Sequence, residues 1–140
     1  MEDCIFCKII AGEVPAHIIR RNGDIVTFLS LDGHPLIVPA KHVPDIFAIE
    51  PDVAAHIMRE AVTLANALRE ATGCDGINLV QSNGPAAGQD VFHFHLHIKP
   101  RWKDDGVTLS WNTDTVEDHK RHALAEKLRQ ICNPQAKTLL

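Results

Sequence analysis

Residues 92–98 read Phe92-His93-Phe94-His95-Leu96-His97-Ile98. In an extended chain successive side chains point to opposite faces. The run therefore predicts a strand over Val91–Lys99, with Phe92, Phe94, Leu96 and Ile98 on one face and His93, His95 and His97 on the other. The apolar face calls for a core. The histidine face then looks into solvent or into a site, with neighbouring imidazoles ~6.5–7 Å apart at a rise of ~3.3 Å per residue. Strict alternation over seven residues argues against chance use of His on an exposed face. Three ligands on one strand also spread wider than the ~4 Å edge of a zinc coordination sphere. One His as a metal ligand and the others as catalysts fit the geometry better.

The segment before this strand, Asn83-Gly84-Pro85-Ala86-Ala87-Gly88-Gln89, is a Gly/Pro-rich loop. Such a turn can offer backbone N–H groups to an anion. Beside imidazoles it suits negative charge developing on phosphorus, and an imidazole nitrogen is a competent nucleophile toward a phosphoryl centre.

Further out, Ile18–Arg21 and Ile25–Leu29 read as short strands split by the turn signal Asn22-Gly23-Asp24. Pro35–Pro39 reads as a buried strand, and Gly76–Ser82 as another. Residues 5–10 suit a short helix ending at Gly12. Pro51 to about Thr72 places Ala54, Ile57, Met58, Ala61, Leu64, Ala65 and Leu68 at helical spacing, with Gly73 as the stop. A last helix runs from about Val116 to Cys132, with Leu124, Leu128 and Ile131 on one stripe. Short turns between most strands favour an α+β fold: an antiparallel sheet of about five strands, one long helix and a C-terminal helix. The 140 residues suit a single domain, 1–140.

Hydrophobic residues make up 45% and charged residues 23%, a globular balance. Apolar runs are too short for a membrane helix, and Met1-Glu2-Asp3-Cys4 lacks the basic start of a signal peptide. A cytoplasmic protein with reduced thiols is expected. The net charge of −4 disfavours a nucleic-acid backbone binder. Of the four cysteines, Cys4 and Cys7 form C-x-x-C. A thioredoxin-like pair follows a strand, and only three residues precede Cys4. Half of a zinc site is the better reading, provided two further ligands come from elsewhere. Cys74 and Cys132 read as ordinary small residues.

His93-Phe94-His95-Leu96-His97-Ile98-Lys99 resembles the histidine triad (HIT) motif, with Lys99 in place of the last apolar residue. Three more blocks resemble that family in order: Cys4–Ala16, Gly33–His42 and Gly84–Gln89. The resemblance implies a hydrolase or transferase acting at the α-phosphate of purine nucleotide conjugates, either nucleoside phosphoramidates or dinucleoside polyphosphates. It implies His95 as the nucleophile of a nucleotidyl-histidine intermediate and His97 as a phosphate contact. The His93 backbone would orient His95. Gln89 and Gly88 would lie near the phosphate and leaving group, and Asn83 near the ribose-phosphate. Ile5, Phe6, Ile9, Phe28 and Leu31 match positions lining the nucleoside pocket. Zinc-bearing relatives match at Cys4, Cys7, His42 and His93, a structural site. A homodimer is implied as well.

Two departures stand out. Asp90 occupies a position where phosphoramidase members carry Ser or Thr, and a carboxylate there would repel a substrate phosphate unless protonated or turned away. The segment Ser30-Leu31-Asp32-Gly33 is shorter than the usual loop. The ribose-binding acid falls at Ser30 or Asp32, and Asp32 is the better acceptor of ribose hydroxyls. A different class of reading is a nucleotide-binding or scaffolding protein with vestigial activity. His17, His56, His119 and His122 read as solvated, and His34 as structural.

Overall fold

The computed structural model describes residues 3–135. Residues Met1–Asp105 form one unit and Gly106–Leu140 a second. The first holds α1 (Ile5–Ile10), β1 (Ile18–Asn22), β2 (Ile25–Leu29), β3 (Pro35–Pro39), α2 (Pro51–Thr72), β4 (Gly76–Val80) and β5 (Leu96–Arg101). The second carries α3 (Asp118–Cys132), which buries none of its side chains. The five strands form one antiparallel sheet in the order β1-β2-β3-β5-β4. The fold class expected from the sequence is the one observed.

Alternation along the strands gives the sheet two apolar faces. Ile25, Ile37, Phe94, Leu96 and Ile98 pack with Ile57, Ala61 and Leu64 of α2. Those three helix residues sit at i, i+4 and i+7, one stripe of the helix. Pro51 opens α2 and Gly73, at φ 68°, closes it in the left-handed conformation suited to glycine. On the other face Val26, Phe28, Leu36 and Val38 pack against Phe6 and Ile9 of α1.

The histidine strand begins later than the sequence predicts. β5 starts at Leu96, and its ladder with β3 covers Leu36↔His97 and Ile37↔Leu96. The same register would bring Phe94 opposite Pro39, which has no N–H to give. The Phe94 N–H instead donates to the Val43 carbonyl at 2.7 Å. Released from the sheet, residues 91–95 keep Phe94 in the core but leave Phe92 50% exposed. That corrects the expectation of Phe92 on the core face.

Candidate active site and metal centre

The face of the sheet bearing α1 carries a cavity of about 760 Å³. Phe6, Ile9, Phe28 and Leu36 give it an apolar wall; Ser30, Asp32, His34, Asp90, His95, His97 and Lys99 give it polar groups. Ile5 and Leu31 line it as well. Asn83, Gly88 and Gln89 are not among its lining residues. The Gln89 side chain is buried and internally satisfied, accepting from the Gly84 N–H at 2.7 Å and donating to the carbonyls of Pro44 and Val91. Asn83 accepts from the Ile46 N–H and pairs with Gln81.

His95 is 6% exposed. Its Nδ1 lies 2.7 Å from the His93 carbonyl, which can only accept, so Nδ1 carries the proton. In the neutral ring that places the lone pair on Nε2, which makes no hydrogen bond among the described residues and has the Asp90 carboxylate at 3.9 Å. The Phe6 ring meets His95 edge-on at 5.1 Å. The His95 and His97 rings are 4.8 Å apart, closer than straight-strand spacing, because residue 95 lies outside the ladder.

His97 sits at the end of a polar chain that the sequence did not suggest. The Ser30 hydroxyl donates to Asp32 at 2.6 Å, so it accepts from His34 Nδ1 at 3.2 Å. His34 Nε2 is then an acceptor, and His97 Nδ1 donates to it at 2.8 Å. The Ser30 hydrogen bond lowers the Asp32 pKa. Burial is the main cause that pushes His97 down to about 4, helped by repulsion from His95, His34 and Lys99. Burial also lowers His34. His97 is therefore neutral at pH 7 in the free protein, with its Nε2 lone pair unprotonated. His34, read from the sequence as structural, is hydrogen-bonded to His97. His56, expected to be solvated, pairs with Asp24.

A second cluster gathers around His93. Cys4 caps α1 and Cys7 follows in its first turn, so the spacing of three puts both sulfurs on one side. The ligand atoms of Cys4, Cys7, His42 and His93 all lie within 4.8 Å of one another. Cys4 Sγ is 3.4 Å from His93 Nδ1, and Cys7 Sγ is 3.3 Å from His42 Nδ1 and 3.6 Å from His93 Nδ1. A tetrahedral ion with metal–sulfur bonds of ~2.3 Å and metal–nitrogen bonds of ~2.0–2.1 Å has sulfur–nitrogen edges of ~3.5 Å. His93 Nε2 donates to the Pro39 carbonyl at 2.8 Å, which frees Nδ1 for a metal. Burial, with the Cys4 sulfur beside it, raises the Cys7 thiol pKa. A bound dication reverses that preference and stabilises thiolates. The four residues fit a metal, and the ligands added to C-x-x-C by resemblance are the ones brought together.

The HIT domain family model matches residues 11–104. The chain belongs to the HIT family. Among relatives, the protein hit of Bacillus subtilis (strain 168) is 35% identical over 99% of this chain and 95% of its own. The adenylylsulfatase HINT3 of Arabidopsis thaliana is 37% identical over 84% of this chain and 60% of that protein. A Zn-bound histidine triad family protein from Mycobacterium smegmatis superposes with a TM-score of 0.72 at 32% identity, covering 89% of this chain and 95% of its own. The described part of this HIT chain has no helix long and apolar enough to cross a membrane.

Proposed function

We propose that this HIT protein hydrolyses purine nucleotide conjugates at the α-phosphate through a nucleotidyl-histidine intermediate. The observation that carries the reading is the His95 imidazole, locked by the His93 carbonyl with an unpartnered Nε2 facing the cavity. The base enters the apolar slot of Phe6, Ile9 and Phe28, and Asp32 receives the ribose hydroxyls. Nε2 attacks phosphorus, the leaving group departs with the bonding pair, and water then cleaves the phosphorus–nitrogen bond. A phosphate at His97 favours its protonated form, which donates from Nε2 to a phosphoryl oxygen while Nδ1 stays on His34. Asn83, Gly88 and Gln89 act by shaping the loop that precedes the catalytic segment.

Zinc is the metal that two thiolates and two imidazoles suit, and the Zn-bound relative supports it. Held by Cys4, Cys7, His42 and His93, it supplies a cross-link between α1 and the residue whose carbonyl orients His95. The exposed apolar side chains Met58 and Val62 on α2 and Leu79 on β4 support a homodimer. The test is a panel of adenosine conjugates, followed by a rapid acid-free quench with a labelled nucleotide. Label on His95 supports the reading; label on another residue overturns it.

A further inference from the structure

The cavity proposed to take an anionic nucleotide is lined by two carboxylates, Asp32 and Asp90, and among the described residues by a single lysine or arginine, Lys99. Lys99 continues the histidine face: two residues past His97 on β5, it points to the same side of the sheet. The ladders fix its neighbours. Asn78 of β4 lies opposite it, and the register that pairs Leu36 with His97 sets residue 34 opposite residue 99. His97 and Lys99 thus stand side by side along β5, with His34 next to both. The side-chain acceptors around Lys99 have other donors. The Asn78 oxygen accepts from Arg101 at 2.7 Å, and Arg101 also holds Asp105. Asp32 accepts from Ser30 and lies 3.3 Å from His34 Nδ1. Among the described residues no hydrogen bond or ion pair holds Lys99, although it is partly buried. After the Ser30 hydrogen bond, its charge helps to lower the Asp32 pKa, and after burial it helps to lower those of His34 and His97. A partly desolvated ammonium with no counter-charge in contact costs free energy, and an anion in the cavity removes that cost.

We propose that Lys99 is a catalytic residue of this chain: its ammonium takes a non-bridging oxygen of the substrate's α-phosphate, beside His97, and holds the charge that builds there as His95 attacks. The inference rests on the hydrolase reading above. Residues two apart on a strand are ~6.5–7 Å apart, so a phosphoryl group fits between the His97 and Lys99 side chains with one oxygen for each. The Nε2 lone pair of His95 forms the new phosphorus–nitrogen bond, and negative charge gathers on the non-bridging oxygens. It passes to the leaving group as that bond breaks and its electron pair departs. His97 donates to one oxygen after taking up a proton, whereas the lysine brings its own charge. A phosphate on the ribose would bring an anion to the same region, but Asp32, which the Ser30 hydroxyl helps to keep ionised, repels it. The α-phosphate is the occupant that leaves Asp32 to the ribose hydroxyls.

The experiment compares the full wild-type chain with Lys99→Met, which keeps the stem and removes the charge, and with Lys99→Arg, which restores it. Binding is measured for adenosine 5′-phosphate, adenosine 3′-phosphate and adenosine. Turnover is measured for adenosine 5′-phosphoramidate and for the separated Rp and Sp forms of its phosphorothioate analogue. Lys99→Met weakens adenosine 5′-phosphate about tenfold, as expected for a lost charge-assisted hydrogen bond at a partly exposed site, and leaves adenosine within about twofold. It lowers kcat/KM for the phosphoramidate about a hundredfold, the lower end for one transition-state donor. It also shifts the Rp-to-Sp rate ratio at least about fivefold, because Lys99 no longer distinguishes the oxygen it held from the other. Lys99→Arg brings the 5′-phosphate affinity and the ratio back to within about threefold of wild type. Equal weakening of adenosine 5′-phosphate and adenosine, or an unmoved Rp-to-Sp ratio in Lys99→Met, overturns the phosphoryl contact. A loss confined to adenosine 3′-phosphate places the ammonium at the ribose and overturns it too. Wild-type protein that turns over no conjugate overturns the hydrolase reading and the catalytic role with it, and the contact itself then stands or falls on the affinity for adenosine 5′-phosphate.

Discussion

Removing the metal from the Cys4, Cys7, His42, His93 cluster should both destabilise the protein and slow it. The cluster ties Cys7 to His93, 86 residues apart in sequence. Closing a loop of that length in the unfolded chain costs about 4.6 kcal/mol in the chain-entropy treatment of cross-links, which serves as a ceiling. At about 4 °C per kcal/mol for a chain of this size, the melting temperature should fall by ~10–20 °C. The assay is a thermal melt before and after dialysis against a chelator, with metal content measured on the same samples. Cys7→Ser should reproduce the loss, while Cys132→Ser, at an exposed position of the second unit, should melt like wild type. Activity measured well below either midpoint should fall too, because the His93 carbonyl that orients His95 belongs to a ligand residue. A fully loaded protein whose midpoint and kcat are both unmoved by chelator would refute the cross-link.

Other outcomes follow from the same geometry. His95→Ala should abolish turnover by several orders of magnitude while its melt and metal content stay at wild-type values; residual activity above about 1% would move the nucleophile elsewhere. Asp32→Asn should raise KM about tenfold with little change in kcat, since a carboxylate bonded to ribose hydroxyls acts equally on ground and transition states; a pure kcat effect would exclude ribose binding by Asp32. His97 has its pKa pushed down to about 4 when folded, against about 6.5 when unfolded. The unfolded chain therefore binds more protons between those values, and stability falls as pH drops through that window by up to about 3 kcal/mol. His97→Gln should flatten this part of the pH–stability profile relative to wild type; parallel profiles would show that burial of His97 is not its cause.

Helical periodicity carried α2, which buries one stripe at a spacing of 3.6 residues, whereas the central strands β2 and β3 are buried on both faces and were legible as short apolar runs between turn signals. The histidines could be placed on one side from alternation, and Phe94, Leu96 and Ile98 do occupy the opposite core. Alternation failed at Phe92 because pairing ends before it, and the cause lies more than 50 residues away in Pro39, whose missing N–H stops the ladder. A strand's length depends on its neighbour's donors, and one strand's own sequence does not contain them. The same limit hid His34. Its own surroundings, Gly33 and Pro35, suggest a turn residue, and nothing local marks it as a partner of His97, 63 residues later. Leu36 of β3 lies opposite His97 in β5. Once that register is fixed, residue 34 lies just beyond the start of β3, close enough for its ring to meet that of residue 97. The chain from Asp32 through Ser30 and His34 thus follows from where β3 begins. A shift of β3 by one residue would turn Leu36 away from the α1 face and break both the apolar wall of the cavity and the orientation of His97. The packing of Leu36 and Val38 against Phe6 therefore fixes the geometry of the proposed site as well as the core.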